Sequence, residues 1–205
     1  MGRTVHQRGI ALFEGALWLA VLLPISLVLA TTAAVVHDQA ALRVVPEAAL
    51  REVPGGTLRW TGDGFGGRYE ADVVELRSAV SRASELGLLE AQKTAFKAHN
   101  ISTKACFWIF SVNPSTGKLQ SPIQSECDAR GPLSREVTVE PYMREALPRR
   151  LGVPRGEIGR GAGYVDRVVL MGMAIVGELP DLLRPSMVHR VSYGAISFPR
   201  QEISL

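Results

Sequence analysis

Cysteine is scarce in this chain of 205 residues: there are two, Cys106 and Cys127. Aromatic residues are few at 6%, and histidine occurs four times. No H-x-x-x-H or G-x-S-x-G motif occurs, and no Ser or Cys stands in a recognisable nucleophilic setting. The formal charge of +3 is spread among acids rather than gathered in a basic stripe. A nucleic-acid partner is therefore not expected, since neither a phosphate-tracking patch nor a stacking platform is present. The Gly-rich stretch Pro54–Gly67 lacks the Lys of a phosphate loop. His6 falls in the leader, His37 at the membrane boundary, and His99 and His189 stand far apart in the chain without neighbouring ligands, so neither metal nor cofactor is expected. Asp63, Asp72 and Glu75 could form a carboxylate cluster, but a solvated helix end accounts for them equally. The chain reads as a non-enzyme.

What is present is a long apolar run. Ile10 to Val36, about 27 residues, carries one charge, Glu14. As a helix it would rise about 40 Å, against a hydrocarbon core of about 30 Å. Arg3 and Arg8 precede it without an acid, which places the N-terminus in the cytoplasm and the rest outside. Pro24 should kink the helix, which a bilayer helix tolerates. A carboxylate deep in such a helix costs roughly 2.5–3.5 kcal/mol on insertion scales and usually has a use.

Three readings compete. A cleavable secretory signal would use the small residues Ala30, Thr31, Thr32 and Ala33. A plain signal anchor would leave Glu14 near the cytoplasmic headgroups, holding an exported domain that binds a partner without polymerising. The third reading takes Arg8, Gly9, the four residues Ile10-Ala11-Leu12-Phe13, Glu14 and Pro24 together. This leader resembles that of type IV prepilins, and most closely that of the pseudopilins and minor pilins of the tight-adherence (Tad) pilus, the TadE/TadF-like family. The family usually has an aromatic after the Glu, where this chain has Gly15.

The resemblance implies cleavage between Gly9 and Ile10 by a prepilin peptidase, leaving Ile10 as the new N-terminus. It implies that Glu14 docks subunits, by meeting the new ammonium of a neighbour and setting helix register. Partners would be other pilin or pseudopilin subunits, the peptidase and the inner membrane. The protein would be single-pass in the cytoplasmic membrane, with its C-terminal part periplasmic or extracellular, or incorporated in a pilus.

The organisation expected is a leader at 1–9, a transmembrane helix at 10–36 continuing to about residue 53, and an exported α+β domain at 54–205. Pro46 is expected to break or kink the continuation. Thr57–Thr61 reads as a short strand among turn glycines. Arg68–His99 reads as an amphipathic helix with an apolar stripe at Tyr69, Val73, Leu76, Val80 and Ala83, bent at Gly87. Lys104–Asn113 reads as a strand, followed by a turn and a weaker strand at Lys118–Cys127 that Pro122 places at an edge. Export would favour a disulfide between Cys106 and Cys127 across this hairpin; two isolated cysteines make a poor zinc site. Val137 and Val139 alternate as a strand before a short helix. Val153–Gly163 reads as a loop, Tyr164–Leu179 as a buried central strand and Val188–Phe198 as a final strand. The fold class is α+β: a long kinked N-terminal helix, then an amphipathic helix packed on an antiparallel sheet.

Overall fold

A computed structural model describes residues 3–53, 58–62, 67–113, 119–150, 167–181, 184 and 186–197. Side chains are described from Phe13 onward, except at 58–62, 67–69, 112 and 148–150. The architecture is α+β, a long N-terminal helix followed by a second helix and a four-stranded antiparallel sheet.

Helix α1 runs Arg3–Glu52 and contains both Pro24 and Pro46. Pro46 therefore does not break it. That proline is buried against the domain, whose packing holds the turn that a missing N–H would weaken. The two halves of α1 differ. Every residue from Phe13 to Ala30 is exposed. Beyond that, Val35, Asp38, Leu42, Val45, Ala49, Leu50 and Val53 are buried. Val35, Asp38, Leu42, Val45 and Ala49 recur at three- and four-residue spacing as one stripe that faces the domain, which Leu50 and Val53 extend.

A hairpin follows, β1 (Leu58–Gly62) pairing antiparallel with β2 (Gly67–Ala71). Helix α2 is Val73–Thr94, five residues shorter at its start than the sequence suggests. Tyr69 belongs to β2, opposite Trp60, and not to the helical stripe. Asp72 fixes the boundary, because its side chain accepts from the N–H groups of Val74 and Glu75 as an N-cap. Gly87 does not bend α2. A Cβ there would lie 1.8 Å from Cε of Met173, so the glycine admits a buried side chain from the sheet. The stripe itself stands, with Leu76, Val80 and Ala83 fully or nearly buried.

The sheet has the order β4-β3-β5-β6, formed by β3 (His99–Val112), β4 (Leu119–Arg130), β5 (Arg167–Pro180) and β6 (Val188–Ser197). Pro122 lies on edge strand β4, where a missing donor is tolerated. Alternation on β3 divides the core. Ala105, Phe107 and Ile109 face α1 and α2, while Cys106, Trp108 and Phe110 face the opposite side. Strand β5 is covered on both faces, which explains its unbroken apolar run. Met171 and Met173 meet the helices; Leu170, Ala174 and Val176 join the other cluster.

That second cluster is closed by helix α3 (Glu140–Arg150) and by Val137 and Val139. The valines do not form a strand. Both point into the core at 0% exposure, so their alternation reports burial without a partner strand. Gly131, with φ of 95°, turns the chain out of β4, and a Cβ there would meet the Ile101 carbonyl at 2.5 Å. The expected loop Val153–Gly163 lies outside the described residues, as does Asp63.

Candidate functional site

The most unusual surface is the free half of α1. Phe13, Leu17, Trp18, Leu23, Leu27 and Leu29 are each more than half exposed, on a stretch of α1 with no described element packed on it. An apolar surface of this extent marks a membrane or an assembly contact. The helix is long and apolar enough to cross a bilayer once. Its hydroxyl side chains are turned inward on its own backbone. The Ser26 hydroxyl donates to the Leu22 carbonyl at 2.7 Å, and Thr32 donates to Val28 at 2.7 Å. Thr31 shares its hydroxyl between the Leu27 and Val28 carbonyls. In lipid these bonds satisfy groups that water would otherwise serve.

Glu14 sits near one end of this run, exposed, and no ion pair joins it to a described residue. An added Cβ at the adjacent Gly15 would meet nothing within 4 Å, so the helix flank beside the carboxylate is open. Gly9 and Ile10 lie within the helical backbone of α1, and the Ile10 side chain is outside the described part. Pro24 lies mid-run.

Where α1 meets the domain, a second carboxylate is built into the fold. Asp38 is fully buried and accepts three backbone N–H groups: Phe96 at 2.9 Å, Lys97 at 2.5 Å and Ala98 at 2.8 Å. A buried carboxylate needs such partners, and three donors from one turn supply them. His37 stacks on the Phe96 ring, centroids 5.2 Å apart. The sequence marks Asp38 only as the first charge after an apolar run. Its role depends on a loop about sixty residues away in the chain, which no local pattern announces.

Cys106 and Cys127 are directly opposed on β3 and β4 and form a disulfide, with Cα atoms 4.0 Å apart. Both cysteines of the chain are thereby used. Cys106 is buried, and Cys127 is exposed on the edge strand.

The other candidate residues do not converge. Asp72 is occupied as a helix cap, while Glu75 lines an open cleft of about 430 Å³ with Val53, Ser78 and Arg82. One Glu75 carboxylate oxygen is buried there without a hydrogen-bond partner. Among the described residues no group of three or more His, Cys, Asp or Glu side chains is placed to hold a metal ion. His99 opens β3, and His189 pairs with Asp181 at 2.7 Å. His6 has its side chain outside the described part.

Surface ion pairs tie the layers together. Arg77 of α2 makes a two-pronged contact with Glu126 of β4. Hydrogen bonding from Arg77 holds the Glu126 carboxyl below the usual range, against a smaller opposing effect of desolvation. Glu178 is likewise lowered, first by the Asn100 side-chain amide and then by Arg190. Asn100, Glu178 and Arg190 thereby stitch β3, β5 and β6 together. No protein-family model, curated protein or solved structure matches this chain.

Proposed function

We propose that this chain is a pilin-like subunit, a pseudopilin or minor pilin of a Tad-type pilus, docking through its apolar N-terminal helix. One observation carries the reading: a helix whose outer half is docked on a sheet domain presents a bare apolar inner half bearing a single acid. Glu14 stands five residues after Gly9, behind a basic leader. Cleavage of the Gly9–Ile10 bond would release an ammonium at Ile10, one helical turn from Glu14. Packed beside a copy or a related subunit, that ammonium offers the carboxylate a cation in a low-dielectric surrounding. The pair would set the axial register of neighbouring helices, as one buried polar residue does in a coiled coil. The leader lies in the cytoplasm in this reading, and the disulfide-clamped domain faces the periplasm or exterior. Such a compartment suits a structural disulfide.

The test is the mature N-terminus, read by mass spectrometry from cells with and without a prepilin peptidase, together with Glu14→Ala. A peptidase-dependent terminus at Ile10, with assembly lost in Glu14→Ala, is the expected result. An intact Met1 and full function of the variant would replace it with an anchored binding domain that does not polymerise. A terminus near Ala33 would make the domain a soluble secreted one.

A further inference from the structure

The direction of α1 over the sheet identifies which end of the domain lies toward the apolar segment. Ala49, Leu50 and Val53 pack with Ala105, Phe107 and Ile109 of β3 and with Val169 and Met171 of β5. Further back along the helix, Leu42 packs with Ile101 and Ile175. Leu42 Cδ1 lies 3.0 Å from the position of a Cβ on Gly177. Moving toward the N-terminus of α1 therefore moves toward the start of β3 and the end of β5. The start of β6 is at the same end, since Val188 opposes Pro180. The loop after α2 is there too, clamped on Asp38 one turn before Leu42.

The apolar run ends at this level. From Phe13 to Val36 the helix rises about 36 Å, against a hydrocarbon core of about 30 Å. When this segment spans, His37 and Asp38 stand among the headgroups. Three large apolar side chains are exposed at this end of the domain: Phe96 at 71%, Met187 at 50% and Val188 at 54%. Lys97 and Arg184, both exposed, stand beside them in the chain. Apolar and aromatic tips with flanking cations are the composition of a membrane interface, where long cationic stems lie along apolar surface and their heads reach phosphates.

We propose that Ala95–Ala98 and the entry to β6 at Met187 and Val188 rest on the lipid surface that α1 enters. The occupant of this apolar end is the bilayer itself, and the surface continues that of the spanning helix. Phe96 is held for this contact from behind, by Asp38 through the backbone and by His37 through its ring. The domain would then keep a fixed tilt on the membrane instead of swinging on α1. The inference rests on α1 spanning a bilayer and is independent of whether the protein polymerises.

Because the two native cysteines are bonded to each other, one introduced cysteine is the only free thiol. Full-length Phe96→Cys, Met187→Cys, Ile123→Cys and Val28→Cys would each be nitroxide-labelled in phosphatidylcholine–phosphatidylglycerol nanodiscs. Ile123 is exposed near the β3–β4 turn, at the opposite end of the sheet, and serves as the aqueous reference. Collisional relaxation by oxygen and by a water-soluble nickel chelate reads depth. The ratio of oxygen to nickel accessibility is expected to be highest at 28, intermediate at 96 and 187, and lowest at 123. A lipid value at 28 with aqueous values at both 96 and 187 would overturn the proposal while leaving the span intact. An aqueous value at 28 would remove the span and the proposal with it.

Discussion

Asp38 of α1 holds Lys97 through a 2.5 Å hydrogen bond from the lysine's backbone N–H, and the carboxylate is entirely buried. With Phe96 and Ala98 also donating, the side chain ties the base of the domain to the helix that leaves it. Asp38→Ala would strand three N–H groups at once. Hydrogen bonds to a charged group are each worth about 1.5–3 kcal/mol net, and the loop can rehydrate in part, so a loss of about 3 kcal/mol is expected. Urea unfolding in detergent should show a lower midpoint at unchanged slope. Hydrogen exchange should quicken at amides 96–98 ahead of those in β3. An unchanged midpoint would show that the clamp is not needed to dock α1.

Tyr142 of α3 lies against Gly194 of β6, where a Cβ would come within 2.4–2.6 Å of three ring atoms. The ring is also held by a 3.0 Å hydrogen bond between its hydroxyl and Ser192 Oγ. A rigid ring cannot yield as a flexible chain end would. Gly194→Val should push α3 off the sheet and cost about 1–3 kcal/mol, the usual range for overpacking. Near-ultraviolet circular dichroism would record the displaced tyrosine. Gly194→Val combined with Tyr142→Ala should recover part of the loss.

Glu126 and Glu178 are both held below the usual carboxylate range, by Arg77 and by Asn100 with Arg190 respectively. A carboxyl whose folded value is depressed contributes its stability in full above its unfolded value. That contribution is lost as pH falls through the lowered folded value. Free glutamate titrates at about 4.3, so the thermal midpoint should begin to fall below about pH 4 and continue falling further down. Both pairs reach solvent through their arginines, so the effect is modest and salt weakens it. Glu126→Gln should flatten part of the decline, and a pH profile identical to that of the parent would exclude Glu126 as a contributor.

Elements with strong local signals were legible in the sequence. The apolar run of α1, the aromatic strand β3, the doubly buried β5 and the edge position of Pro122 all follow from composition and period. Elements were misread where two patterns coincide or where the cause is distant. Tyr69 falls at helical spacing from Val73, yet Asp72 between them is a capping residue that starts the helix later. Gly87 looks like a breaker until Met173 is seen filling its place. Val137 and Val139 alternate like a strand because one side is buried, not because a neighbour pairs with them. The stripe Val35, Asp38, Leu42, Val45, Ala49 was available as a helical period. Its acidic member disguised it as the edge of a membrane span.

Cys106 and Cys127 close a loop of 21 residues between directly paired positions. In the chain-entropy account such a loop is worth about 3 kcal/mol. The bond also secures β4, an edge strand whose residues are otherwise mostly exposed. Cys127 is open to solvent, so a small reductant can reach the bond without prior unfolding. Dithiothreitol, or the double variant Cys106→Ala with Cys127→Ala, should therefore lower stability by about that amount. Loss of protection should begin in β4, while β5, covered on both faces, keeps its slow amides. The measurement is hydrogen exchange on oxidised and reduced protein at the same pH. Equal exchange in β4 of the two forms would mean that the ladder to β3 and the Arg77–Glu126 contact hold the edge unaided.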